Sequence, residues 1–296
     1  MDTLLQDVKY ALRSLRRSPG FALTVVGMMA LGIGVNSMIY SLMRGVLFTG
    51  LPFADASRLV AISPFDLRDP RGGGTMSMPD AVDVRDQSRA LSGVGLWSTT
   101  DLYLSAGDSP RRVEATFGSD GLVKTLGMSP LRGRWFTSDE CKVGANLVPV
   151  VIGARIWREE LAADPNVIGR TLSMNGRVRT IVGVMPDDFR FPEVSDVFIP
   201  LAMNDPGDNR GNHYLKMVAR LAPTATLAGA AAELRQIAAA IAKDHPNTSR
   251  DQSFRPLPLH EFLEGEVRPL FVVLVLAVTF VLLIACANVA SLLLAR

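Results

Sequence analysis

The sequence predicts a membrane protein of the α+β class, in which two transmembrane helices flank a two-lobed α+β periplasmic domain. Three observations carry this reading: an apolar segment over residues 21–48, a second over 268–296, and between them strand-like and helix-like patterns mixed without strict β-α alternation. With 48% hydrophobic and 20% charged residues, the chain is more apolar than most soluble proteins of its size.

The first element, residues 1–20, reads as a cytoplasmic amphipathic helix. Leu4, Leu5, Val8, Leu12 and Leu15 recur at helical spacing, while Lys9, Arg13, Arg16 and Arg17 fall on the other side and suit the phosphates of a membrane surface. Pro19 and Gly20 then break the direction. Next comes "FALTVVGMMALGIGVNSMIYSLMRGVLF", free of charge until Arg44. About 20 apolar residues cross the hydrocarbon core, so this reads as a spanning helix. A cleaved signal peptide would have a shorter apolar run and a small-residue cleavage site, and "SLMRGVLF" offers none. The last segment, from about Leu270 to Ala295, has no charge at all.

Basic residues precede the first span, and an acidic stretch, "HEFLEGEVRP", enters the second. The positive-inside rule therefore places both ends in the cytoplasm of a cell with this inner (plasma) membrane, and residues 49–267 outside it. Within the spans, Ala30 and Gly34 form a small-xxx-small pair, and Ala287 and Ser291 repeat it. An isolated amide in hydrocarbon is costly, so Asn36 and Asn288 are expected to face other helices. The lipid bilayer is thus the first partner the sequence implies.

The outer stretch holds several local signals. "MPDAVDVRDQ" reads as a short helix with Ser77 as N-cap and Asp80 three residues on. "VPVVIGARIWREEL" begins as a strand and turns through Gly153 into a helix. In "TLSMNGRVRTIVGVMP" the pair Asn175-Gly176 sits between alternating residues, a hairpin with a type I′ turn. "HYLKMVARLAP" is a further strand. In the helix after it, Leu227, Ala231, Leu234, Ile237 and Ile241 line one face, Thr226 caps the start, and Pro246 lies past the end. A lobe over about residues 115–211 is expected as an insertion, with breakpoints near Glu114 and Asn212. "RDPRGGGTMS" and "NDPGDNRGN" read as solvent-exposed loops.

No constellation for chemistry emerges, and no catalytic, cofactor-binding or metal-binding residue is assigned. There is no G-x-x-x-x-G-K-[ST] loop, and Gly72–Gly74 read as flexible. His213, His245 and His260 show no metal-ligand spacing; His245 suits a helix C-terminus. Met76 and Met78 read as packing residues, and Cys141 and Cys286 as small apolar ones that form no disulfide framework. A net charge of +2 without dense Lys/Arg stretches argues against nucleic acid. No cofactor is expected.

Five segments taken together point further: "DVKYALRSLRRSPGFALTVVGMMALGIGVNSMIYSLM", "SMPDAVDVRDQSRALSGVG", "LGMSPLRGRWF", "DPNVIGRTLSMNGRVRTIVGVMPDDFRFP" and "LLIACANVASLLLAR". In order and spacing they resemble the MacB/FtsX-like ABC transporter permeases, most of all their duplicated orphan-permease branch. The resemblance implies a non-enzymatic permease whose helices are driven by a separate cytoplasmic ATPase, with motion relayed to the periplasmic domain (mechanotransmission, in export or efflux). It also implies four helices per repeat, so this chain corresponds to the N-terminal portion, working as a homodimer or with a further permease repeat. A two-helix sensor lacking its output domain, or a membrane-anchored enzyme, is the alternative.

Overall fold

The computed structural model describes residues 19–47, 52–105, 110–142, 144, 148–192, 195–203, 208–265 and 268–294. The amphipathic segment with Lys9, Arg13, Arg16 and Arg17 lies outside them. The chain divides into two compact units: one holds the two long helices, the other lies within Leu51–Leu263.

In the first unit, helix α1 spans Pro19–Leu47 and helix α8 spans Arg268–Leu294. They pack on one another, with Ile39 and Val278 buried. Gly32 is what lets them close: a Cβ there would stand 2.9 Å from Leu282 Cδ1. Leu23, Val26, Ile33, Met38, Val273, Phe280, Leu283 and Ile284 remain exposed. Among the described residues, no helix is long and apolar enough to cross a membrane. The two helices run 29 and 27 residues, which at ~1.5 Å per residue is about 44 and 40 Å.

The second unit is built on one ten-stranded mixed sheet. Its strands are β1 (Leu59–Asp66), β2 (Leu91–Ser105), β3 (Arg111–Gly118), β4 (Arg132–Gly133), β5 (Pro149–Gly153), β6 (Thr171–Met174), β7 (Arg177–Met185), β8 (Val197–Pro200), β9 (Lys216–Leu221) and β10 (Gln252–Pro258). The spatial order is β10-β1-β9-β2-β3-β8-β5-β7-β4, with β6 pairing β2 and β7. The β3–β8 and β5–β7 pairs are parallel and the rest antiparallel. The sheet runs unbroken from the residues flanking 115–211 into those within it.

Six shorter helices complete the unit and its exit: α2 (Met78–Gln87), α3 (Gly121–Leu126), α4 (Ala154–Glu159), α5 (Leu227–Asp244), α6 (Pro246–Ser249) and α7 (Leu259–Gly265). Ser77 caps α2 by accepting from the Asp80 N–H at 3.2 Å, and Thr226 caps α5 by accepting from Gly229 at 3.1 Å. The hairpin turn has Asn175 at φ 48° and Gly176 at φ 74°, as a type I′ turn demands.

Three apolar clusters divide the interior. One packs α2 and α5 over β1, β9 and β10, with Met76 and Met78 inside it. Another packs α4 against β3, β5, β6 and β7. The third, rich in aromatic rings, covers the opposite face of the sheet from Leu59 and Val218 across to Val151 and Phe198. It can do so because α3 lies directly on β2: a Cβ at Gly95 would sit 2.6 Å from Leu122 Cα.

Three sequence expectations need correction. The buried face of α5 carries Ala230 and Ala238 with Leu234, Ile237 and Ile241, while Leu227 is exposed. Ala230, Leu234, Ile237, Ala238 and Ile241 keep the three-and-four spacing of one helical face, turned slightly from the expected one. The Gly72–Gly74 loop is tied down rather than flexible, because the Arg255 guanidinium donates to the carbonyls of Pro70 and Gly72 and stacks on Phe65 at 5.1 Å. In "NDPGDNRGN", Arg210 is not solvated: it pairs with the buried Asp80 and with Asp83, pinning that loop to α2. Residues 204–207 of the same loop lie outside the description.

Candidate functional site

The most concentrated feature of the second unit is an aromatic node where the chain enters from the first helix and leaves toward the second. Phe53, shortly after α1, meets Phe191 edge-on at 5.9 Å. Phe191 meets Trp97 at 4.8 Å, and Trp97 meets Phe262, on α7 just before α8, at 6.4 Å. Trp97 and Phe191 are essentially inaccessible to solvent. Edge-to-face rings at such separations are among the better-directed apolar contacts.

Trp97 also marks the point where β2 changes partner. It pairs with Lys216 of β9 on one edge and with Gly118 of β3 on the other. The node is packed at interior density, with Trp97 and Phe191 enclosed on all sides.

Arginines fasten the entering segment. The Arg220 guanidinium donates to Thr125 O at 3.1 Å, Asp55 O at 3.2 Å and Ala54 O at 2.7 Å. Burial pulls its pKa below the ordinary arginine value. Arg58 Nε donates to Leu221 O at 3.1 Å. On the leaving side, Lys216 Nζ lies 5.9 Å over the Phe262 ring.

The residues singled out in the helices are dispersed. Gly34 is exposed with nothing within 4 Å of a Cβ, and Ala30, Ala287 and Ser291 are exposed as well. Asn36 is partly buried, and its amide donates to Gly32 O in the same helix at 2.9 Å. The Asn288 side chain lies outside the description. Gly32 was not singled out from the sequence; its place four residues before Asn36 was the available signal. The node went unnoticed because its contacting rings are 94 to 165 residues apart in the chain: 191 − 97 gives the shortest span and 262 − 97 the longest.

Other groups offer little chemistry. Among the described residues, no group of three or more His, Cys, Asp or Glu could hold a metal ion. Burial pushes the Cys141 thiol up to about 12, so it is a packing residue rather than a nucleophile.

The fold and the node can now be set beside known proteins. A family profile, the MacB-like periplasmic core domain, matches residues 21–237. A search of curated proteins gives no match. Among solved structures, a domain of a protein named as a permease from Porphyromonas gingivalis is similar at TM-score 0.53 and 15% identity, covering 70% of this chain and 92% of that one. The periplasmic region of MacB from Actinobacillus actinomycetemcomitans is similar at TM-score 0.52 and 13% identity, covering 78% of this chain and 98% of that one. At such identities these two likenesses speak for the fold alone. With its profile spanning most of the chain and its second unit folded in the same way, this protein belongs to the MacB-like periplasmic core domain family.

Proposed function

We propose that the chain is a permease component of an ABC-type transporter, with α1 and α8 crossing the inner membrane and the sheet domain on the periplasmic side. A separate cytoplasmic ATPase, which binds ATP, drives the helices, and the aromatic node passes their displacement into the domain. No reaction is catalysed by this chain. One observation carries the membrane part: α1 and α8 present large apolar side chains outward along their lengths while packing on each other through a narrow seam. A helix that is apolar on its outward faces matches a lipid surround.

The outward stripe of α1 supports assembly with further helices. Gly27, Ala30, Gly34 and Ser37 recur three or four residues apart and are all exposed, a surface on which another helix can approach closely. Ala287, Asn288 and Ser291 supply the corresponding positions of α8, toward a second copy or a further permease repeat. Lys9, Arg13, Arg16 and Arg17 serve as the cytoplasmic membrane-surface contact, fixing the orientation.

The test is labelling with a membrane-impermeant maleimide in cells with a permeabilised outer membrane. In a cysteine-free background, Val178→Cys, at a position 64% exposed in the domain, labels without lysis, and Ser14→Cys labels only after it. The reverse pattern would sink the proposed topology.

A further inference from the structure

Strand β2 is fifteen residues long, and one of its edges is not continuously covered. Along that edge, Leu91–Trp97 pairs with β9 and Leu104–Ser105 pairs with β6. Among the described residues, 98–102 between them pair only with β3, on the opposite edge. The result is a notch in the sheet, recessed between β9 and β6.

The direction of the backbone groups follows from the ladder. Ser119 N–H donates to Leu96 O at 3.0 Å on the β3 side, so even-numbered residues of this stretch point toward β3 and odd-numbered ones toward the notch. Trp97 is taken by Lys216. Tyr103 is capped by Asn175: its N–H donates to Asn175 Oδ1 at 2.8 Å, and its carbonyl accepts from Asn175 N–H at 3.0 Å. Thr99 and Asp101 remain, each exposed, each with an N–H and a C=O facing the opening. Residues i and i+2 on one edge present the hydrogen-bonding unit that an added strand completes.

Beside the notch runs a groove of about 400 Å³ lined by Thr100, Phe117, Leu201, Asp208 and Tyr214, among others. Phe117 and Leu201 offer an apolar floor. Among the described residues, the Asp208 carboxylate is met by one hydrogen-bond donor, the Tyr214 hydroxyl at 3.2 Å, and by no cation. We propose that this notch captures an extended, basic segment of a partner protein by strand addition to Thr99 and Asp101. The segment's alternate side chains rest on Phe117 and Leu201, and a lysine or arginine reaches Asp208. A second copy's own notch is not the occupant, because each is recessed between flanking strands and two such recesses cannot meet edge to edge. The inference rests on the sheet and holds whichever way the helices cross the membrane.

The test uses the full chain in detergent micelles and a fluorescein-labelled peptide, Thr-Val-Lys-Val-Thr. Saturable binding is expected, weakened about 5-fold or more when the peptide is N-methylated at alternate amides, since each lost backbone hydrogen bond is worth about that factor. Asp208→Asn should weaken the parent peptide several-fold and abolish its preference over a Lys→Gln peptide. Thr99→Pro should remove binding, and edge positions tolerate proline; if that variant fails to fold, the N-methylated peptide decides alone. Bound peptide should also slow hydrogen exchange at the amides of Thr99 and Asp101. Equal binding of methylated and unmethylated peptides, no saturation up to millimolar peptide, or a dimer that dissolves on Thr99→Pro would overturn the proposal.

Discussion

Trp97→Ala is the sharpest perturbation available, because Trp97 joins both connectors to the line where β2 changes partner. The indole is 1% exposed. A buried tryptophan withdraws about 200 Å² from water, which at ~25 cal/mol per Å² amounts to about 5 kcal/mol. Measured tryptophan-to-alanine truncations in cores cost about 3–5 kcal/mol, so about 4 kcal/mol is the working figure. For a domain of this size each kcal/mol moves Tm by about 2–4 °C, giving a loss of about 8–16 °C. The assay is urea and thermal unfolding of residues 52–263, followed by far-UV circular dichroism. Trp97→Phe keeps a ring against Phe191 and should lose less than half as much. A loss below about 1.5 kcal/mol for Trp97→Ala would refute the reasoning, since it would mean that Phe53, Phe191 and Phe262 close the gap without the indole.

Three further outcomes follow from the same geometry. Gly32→Phe should separate α1 from α8, because even a Cβ stands 2.9 Å from Leu282, whereas Gly34→Phe meets open space and should leave that pair intact; disulfide crosslinking between cysteines placed on the two helices reads the difference. For Glu233, burial alone would raise the pKa, but hydrogen bonds from Ser88 and the backbones of Ala90 and Arg89 outweigh it and hold the carboxyl below its ordinary 4.5. A depressed folded pKa means stability that is fully present above pH 4.5 and drains away as pH falls through the lower value. Glu233→Gln should therefore flatten the acid limb of the stability curve of residues 52–263, and an unchanged limb would count against those hydrogen bonds. Cys141, 1% exposed with its thiol pushed up to about 12, should stay unreactive toward a chromogenic disulfide at pH 8 in that same native fragment and react once per chain in urea.

Legibility from sequence tracked how local the determining physics is. The Asn175-Gly176 turn, the Ser77 and Thr226 caps and the strand-to-helix turn at Gly153 depend on neighbours within four residues, and each is found where the sequence puts it. Strand β2 could not be read. Gly95, Leu96 and Trp97 are buried in succession because both faces are covered there, while Thr99, Asp101 and Tyr103 emerge beyond, so no single period describes it. Strand β1 hides for a related reason: six consecutive residues are buried, and Pro64, which reads as a breaker, lies past the stretch paired with β9. The ion pair of Arg210 with Asp80 joins residues 130 apart in sequence and was invisible for that reason. Helix-seam residues were half legible: polarity drew notice to Asn36, but the seam itself rests on Gly32, and Ala30 with Gly34 face outward.

The shared anchoring of Phe53 and Phe262 has a consequence for how such a protein can change over time. A domain whose entering and leaving segments both pack into one aromatic cluster holds those two ends on its own core. It therefore carries its anchoring with it. Grafting residues 52–263 onto an unrelated antiparallel helix pair should therefore yield a folded chimera, and joining the two ends with a few glycines should give a closed ring that keeps the same core.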